Sequence, residues 1–292
     1  MRRLLRRGFA RLRRVVRGEL HGGPSYHALV MSRHRCYNYA RSARGEPSSP
    51  LWGLETKSGS RAIALRSGVA VPALLRGPCP LDEIDWGSLP DRFVVKPDHG
   101  TASAGVLVLE RQDGRYLDLL TGRHLSEDEC RDAILEGNRR SYNSSKQVIV
   151  EESLAHDGRL PTAWKVFTFV DRVGLILGLR QSPEGTVYRA YSADGTDIGA
   201  IRWDLARSAQ DLGLSRPAAL VEAATSIAQS LNTPFVRVDL YDIPERRVIF
   251  GEFALRPGNS SELHRSVDRR LGQLWEESQG ALLAKGLSLE QP

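Results

Sequence analysis

Two apolar strands near the end of the chain, FVRVDLYD at 235–242 and RVIFGEFAL at 247–255, each enclose one acid, Asp239 and Glu252. A carboxylate set inside an apolar run costs free energy unless it is paired or coordinated to a cation. Alternation makes the two strands hairpin neighbours, so the acids can face one another as a hard-oxygen site suited to Mg²⁺. The plainer alternative is an ion pair of Asp239 with Arg237 or Arg256 at a sheet edge.

Cation usage then becomes informative. The 292 residues contain 41 Lys+Arg, and only Lys57, Lys96, Lys146, Lys165 and Lys285 are lysine. Arginine is the default cation here, and a lysine kept against that bias suits a compact point charge for a polyphosphate. Lys96 ends the strand RFVVKP at 92–97, just before a Gly/Ser/Thr-rich loop at 98–104. Val106–Leu109 returns as a strand, so the loop lies at a hairpin tip. A strand-end lysine turned to water is the plainer reading of Lys96. The loop is not a nucleotide-binding P-loop, which would need GxxxxGK[ST] and a following helix.

The remaining periodicities give an α+β chain. Helices are predicted at 25–43, 57–67, 126–138, 216–231 and 266–284, and a short strand VAVP follows Gly68. Strands are predicted at 147–154, 164–171 and 173–181, so the middle of the chain is mostly antiparallel sheet. This order divides the chain into a basic arm (1–22), an N-terminal α/β unit (23–90), a small lobe (91–153) and a C-terminal lobe (154–292).

The net charge of +6 is localised: residues 1–20 carry eight arginines and one glutamate, which leaves the rest at −1. A nucleic-acid groove through the body therefore has little support. Leu4, Leu5, Phe9, Leu12, Val15 and Val16 give the arm a basic amphipathic pattern. Such a helix docks on an anionic membrane surface or an acidic partner, or packs as a solvated arm; a mitochondrial presequence shares the composition. No apolar run approaches the roughly 20 residues that span a bilayer. Cys36, Cys79 and Cys130 show no zinc spacing, and the expected setting is the cytoplasm, with the arm allowing a peripheral membrane position.

Six segments occur in an order that resembles the ATP-grasp superfamily, in its TupA-like branch of teichuronopeptide synthesis: LETKSGSRAIALRSGVAVP, LPDRFVVKPDHGTASAG, VIVEESL, AWKVFTFVDR, VRVDLYD and GEFALRPG. The resemblance covers about residues 54–262. It implies an ATP-grasp fold, with two α/β lobes holding ATP between antiparallel sheets, preceded by a small N-terminal α/β unit and a basic helix. It also implies ATP and Mg²⁺ as cofactors. Lys57, Lys96 and the loop residues His99, Gly100, Thr101 and Ser103 match nucleotide-contacting positions, and Glu151, Glu152, Ser153 and Leu154 match the adenine clamp. Lys165 matches a position facing the transferring phosphate, and Asp239 and Glu252 match the magnesium ligands. Many relatives carry an asparagine two residues after the second acid; this chain has Ala254, which makes Asn259 the candidate third ligand. Lys96, Lys165, Arg237 and Arg256 are the expected catalytic cations, and Arg180, Arg189, Arg237 and Arg256 are candidates to grip a substrate carboxylate.

The activity so implied is an ATP-dependent carboxylate–amine ligase working through an acyl phosphate. Its substrates would be small-molecule or peptide carboxylates and amines, in cell-envelope polymer or specialised-metabolite biosynthesis. A kinase that stops at phosphorylation and a nucleotide-binding adaptor are the alternatives.

Overall fold

The structure, a computed structural model, describes residues 23–44, 54, 56–100, 103–140, 147–244 and 246–287. The basic arm, Thr101 and Lys146 lie outside the described residues. Helices α1 (Tyr26–Arg44) and α2 (Lys57–Arg66) come first. Then follow β1 (Leu74–Pro80), β2 (Arg92–Pro97), β3 (Leu107–Gln112), β4 (Arg115–Asp118), β5 (Arg123–Leu125), α3 (Glu127–Arg140) and β6 (Gln147–Glu152). The second half runs β7 (Ala163–Phe169), β8 (Arg172–Ser182), β9 (Gly185–Tyr191), β10 (Ala206–Arg207), α4 (Pro217–Leu231), β11 (Val236–Tyr241), β12 (Ile249–Ala254) and α5 (Arg265–Ala284).

The first six strands form a small antiparallel sheet in the order β1-β6-β2-β3-β4-β5. Phe93, Val95, Leu109, Val148 and Val150 point to one face and pack on Cys130 and Ile134 of α3 and on Trp86. The two-residue period leaves Val94, Lys96 and Glu151 on the other face. β1 carries Pro78 and Pro80 and lies at the edge of this sheet, where a missing N–H is tolerated.

The large sheet has the order β10-β9-β8-β7-β11-β12. Trp164, Val166, Ile176, Val236 and Val238 face a core built with α4 and with Ile63 and Ala64 of α2. On the opposite face, Phe167, Phe169, Leu177 and Phe235 are covered by Tyr26 and Val30 of α1 and by Leu271 and Trp275 of α5. Lys165, Arg237 and Asp239 share that second face by alternation, so the charged site begins where the cover of α1 and α5 ends.

Two expectations change. Residues 69–72 form no strand: only Ala70 makes a bridge, parallel to Ile249, and Pro72 has no N–H with which to extend a ladder. The strand starts at Leu74 instead and joins the small sheet. Nor do residues 23–90 form a unit of their own. Tyr26 and Val30 belong to one large-sheet core, Ile63 and Ala64 to the other, and Trp86 to the small-sheet core. The last strand of the small sheet ends at Glu152 and the first strand of the large sheet starts at Ala163. Strands β4, β5, β9 and β10 were not anticipated; three of the four are four residues or shorter. No helix of the described residues is long and apolar enough to cross a membrane.

α1 is fastened by one cation. The buried Arg33 guanidinium donates to the Phe235 and Leu255 carbonyls at 3.0 and 2.9 Å and to Thr233 Oγ1 at 3.0 Å, and it stacks 4.3 Å over Trp275. Arg33→Ala should therefore lower the unfolding free energy by about 3 kcal/mol, because two buried carbonyls lose a charged donor and a cavity opens. Urea denaturation checks this; a loss under about 1 kcal/mol would mean that α1 contributes little to the large-sheet core.

Candidate functional site

The two acids singled out by the sequence are direct cross-strand partners: Asp239 on β11 stands opposite Glu252 on β12, and opposite Lys165 of β7 on its other side. One residue further the register slips, so that Leu240 faces Phe250 and Gly251 becomes the extra residue of a bulge. A Cβ on Gly251 would come within 2.8 Å of the Tyr241 ring, so a larger residue in the bulge that sets Glu252 would have to displace that ring.

Three cations close on the pair. Lys165 Nζ binds Asp239 Oδ2, and Lys57 Nζ arrives from the first turn of α2 to bind Glu252 Oε2. Arg237 grips both oxygens of Asp239 at 2.6 and 2.9 Å and reaches Glu252 Oε1 at 3.4 Å. The two acids do face one another, and Asp239 is ion-paired with Arg237. A second cluster sits on the small sheet, where the buried Glu151 carboxylate meets Lys96 Nζ at 2.6 Å and Arg61 of α2 at 3.4 Å. Five cations against three carboxylates leave the combined site with an excess of two positive charges. That balance favours a polyanion over a cation alone.

Burial and neighbouring charge act in opposite directions here. Burial raises the Glu252 carboxyl, but Lys57, Lys165 and Arg237 overrule it and hold the group well below the ordinary carboxylate range. Burial likewise works against the charged form of Lys57, yet the Glu252 carboxylate raises it. Lys165 goes the other way: burial and then Arg237, which competes with it for Asp239, outweigh its carboxylate neighbours and lower it. Burial and the two acids raise the Tyr241 phenol. Glu252 keeps 38% of its side chain exposed, the open side of an otherwise enclosed cluster.

These groups line a cleft between the sheets enclosing about 1240 Å³ of atom-free space, part of it open to solvent. Lys96, Lys165, Asp239 and Glu252 form its charged part, and Gly100, Ser103 and Ala104 of the β2–β3 loop approach it. Val94, Val108, Leu154, Leu160 and Leu179 form an apolar slot beside them. The β8–β9 turn and the β4–β5 turn approach one another: a Cβ added to Gly122 would lie 3.3 Å from Pro183 Cγ. On the connection side, Arg246 pairs with Glu152 at 2.8 Å.

The expected residues divide clearly. Lys57, Lys96, Gly100, Ser103, Glu151, Glu152, Leu154, Lys165, Asp239 and Glu252 all line the cleft, and Arg237 touches its acid pair. His99 is half-buried and Ser153 accepts a hydrogen bond from Ala155 N at 3.2 Å; neither lines the cleft. Arg256 follows the end of β12 and stacks 4.7 Å from the Tyr37 ring on α1, so it is not a grip on substrate in this cleft. Asn259 is exposed at the left-handed start of a 3₁₀ turn and is not among the residues lining this cleft. Arg180 and Arg189 are on the face of the large sheet away from the cleft: Leu177 and Leu179 take the cleft side of β8, and Arg180 bonds the Leu212 carbonyl behind it. Arg189 pairs with Asp197.

Asp239 and Glu252 offer hard oxygens side by side, and no group of three or more His, Cys, Asp or Glu occurs among the described residues. Ala254 stands opposite Arg237, whose guanidinium reaches Glu252 Oε1 at 3.4 Å. The pair fits an ion that takes its other ligands from phosphate and water, as Mg²⁺ does. Sequence reading missed Arg61, Asp98, Tyr241 and Arg246. Only the i, i+4 spacing of Lys57 and Arg61 on one helix face offered a signal.

Two antiparallel lobes with lysines from both directed into the cleft between them have the arrangement of an ATP-grasp protein. The chain belongs to the TupA-like ATP-grasp family, which it matches over residues 69–276. Among solved structures it is similar to the VanG D-Ala:D-Ser ligase from Enterococcus faecalis (17% identity, TM-score 0.49), covering 78% of this chain and 62% of that one. It is also similar to the D-alanine–D-alanine ligase from Bacillus anthracis complexed with ATP (16% identity, TM-score 0.48, 80% and 68% covered). A third is the D-cycloserine synthetase DcsG (20% identity, TM-score 0.46, 78% and 72% covered). The chain thus spans 62% of the length of VanG. No curated protein matches.

The charge cluster leaves a signature in acid. Because the folded state holds the Glu252 carboxyl below its ordinary 4.5, its contribution is present above that pH. It is lost as the pH falls toward the lower folded value, where the unfolded chain takes up a proton first. Wild type should lose stability more steeply below pH 4.5 than Glu252→Gln, measured by denaturant midpoints; equal slopes would remove Glu252 from the linkage.

Proposed function

We propose that this protein is an ATP-dependent ligase that activates a carboxylate as an acyl phosphate and joins it to an amine. The observation that supports this most is the excess of cations at the cleft: Lys57, Lys165 and Arg237 around two adjacent carboxylates, and Lys96 and Arg61 on the single carboxylate of Glu151. Such a site meets the needs of phosphoryl transfer, in which positioning and charge stabilisation dominate.

In this reading the apolar slot beside Leu154 and Leu179 takes the base, with main-chain groups around Ser153 and Leu154 as its partners. The Glu152 N–H is already given to the Ala73 carbonyl at 2.9 Å, so that group is not among them. Lys96 and Lys57 hold the phosphates, and the loop around Gly100 and Ser103 covers them and excludes water. Asp239 and Glu252 would hold magnesium, which supplies charge neutralisation on the transferring phosphoryl group.

Lys165 and Arg237 sit on the acid pair at the reacting end. They orient the substrate carboxylate and stabilise the charge of the phosphoryl group that it takes up. One carboxylate oxygen attacks the γ-phosphorus and ADP leaves. The amine nitrogen then attacks the acyl carbon, phosphate departs, and the amine proton is released as the amide forms. The substrates are placed as small-molecule or peptide carboxylates and amines, in cell-envelope or specialised-metabolite biosynthesis.

The test pairs candidate carboxylates with amines in the presence of Mg²⁺ and ATP, following phosphate release and product mass together. Wild type is expected to release phosphate and form an amide only when both substrates are present. Asp239→Asn and Lys165→Met should each lower the rate at least about 100-fold through lost charge stabilisation. A stable phosphorylated product without use of the amine would replace the ligase with a kinase. Nucleotide binding without turnover in any pairing would leave an adaptor.

A further inference from the structure

Helix α2 begins with a cation at its positive end. Lys57 is its first residue, its first turn contains no acid, and the helix dipole disfavours an ammonium there. The compensating charge comes from the other lobe. Asp98, 5% exposed, directly follows β2 at the root of the phosphate-covering loop. Its Oδ1 accepts from Ser58 N at 2.8 Å, its Oδ2 accepts from Ser58 Oγ at 3.0 Å, and its main-chain carbonyl accepts from Lys57 N at 2.8 Å. Thr56 Oγ1 takes Gly59 N at 2.8 Å. The first three N–H groups of α2 therefore all have acceptors, two of them from Asp98.

This arrangement has a chemical consequence. A helix start with free N–H groups is an anion site, but here those donors are consumed, so α2 can act on a polyphosphate through its side chains, Lys57 first, and not through its helix start. The Lys57 side chain reaches Glu252, and one turn later Arg61 reaches Glu151 on the small sheet. Thr56 alone would suffice as an ordinary cap. The buried carboxylate of Asp98 adds a link between the loop that covers the cleft and the lysine that enters it. The Asp98 N–H, given to the Gln147 carbonyl at 2.9 Å, fixes the same point to β6.

We propose that Asp98 is a positioning residue for the nucleotide: it ties the root of the β2–β3 loop to the start of α2 and thereby holds Lys57 at the acid pair. The proposal rests on the nucleotide reading given above and adds a residue that acts through Lys57 without touching the ligand.

The test is a double-mutant cycle on the affinity for a non-hydrolysable ATP analogue with Mg²⁺, measured by calorimetry in wild type, Lys57→Ala, Asp98→Ala and the double variant. Each single change should weaken binding on the order of tenfold, the size of a lost charged cap. The double variant should bind within about twofold of Lys57→Ala, since a residue acting through Lys57 has no further effect once Lys57 is gone. Multiplied losses in the double variant, or wild-type affinity in Asp98→Ala, would overturn the assignment. Asp98→Asn keeps an acceptor for Ser58 N and should recover part of the loss; it also replaces Asp98→Ala in the cycle if that variant does not fold. Silence from all four folded proteins would sink the nucleotide reading and this proposal with it, a result distinct from a cycle in which wild type binds and Asp98 does not couple.

Discussion

Three cations and two carboxylates lie against one another on the cleft face of the large sheet, and much of the architecture serves to keep them there. Removing an ion from water costs several kcal/mol even after relaxation, so each member of such a group depends on the others. Their delivery is divided: Lys165 comes from β7, Arg237 and Asp239 from β11, Glu252 from β12 and Lys57 from α2. The Gly251 bulge sets the angle of Glu252, and the apolar cover of α1 and α5 stops short of the cluster. A shift of any one element would leave a buried charge without its partner.

This dependence explains why the segments before the first sheet do not gather into a body of their own. α2 packs Ile63 and Ala64 into the large-sheet core while its first turn is capped from the small sheet and Arg61 pairs with a small-sheet acid. One short helix thus belongs to both lobes. A boundary drawn along the chain cannot describe an element whose apolar face and polar face serve different sheets.

The parts of the site that could be read from sequence are those where residue type conflicts with its surroundings. Asp239 and Glu252 inside apolar strands, and the lysines retained in an arginine-rich chain, both stood out, and Lys57, Lys96 and Lys165 line the cleft. Periodicity placed the helices and the strands β2, β6, β7, β8, β11 and β12, but not the side of the sheet. Arg180 and Arg189 looked suitable by position and point away, because the pairing of Lys165 with Leu177 puts the even residues of β8 on the far face, and Arg189 of β9 stands opposite one of them, Gly178. Arg256 and Asn259 follow the last strand, where alternation no longer says where a side chain goes. The Asp98–Ser58 contact joins residues 40 positions apart in different elements, and nothing local in either segment announces it.

The two prolines of β1 have a meaning beyond their own strand. Two of its seven residues offer no N–H, so another extended chain cannot add itself along this border with an unbroken ladder. The small lobe is shielded there from sheet-to-sheet polymerisation, the hazard carried by any molecule built on open-edged sheets.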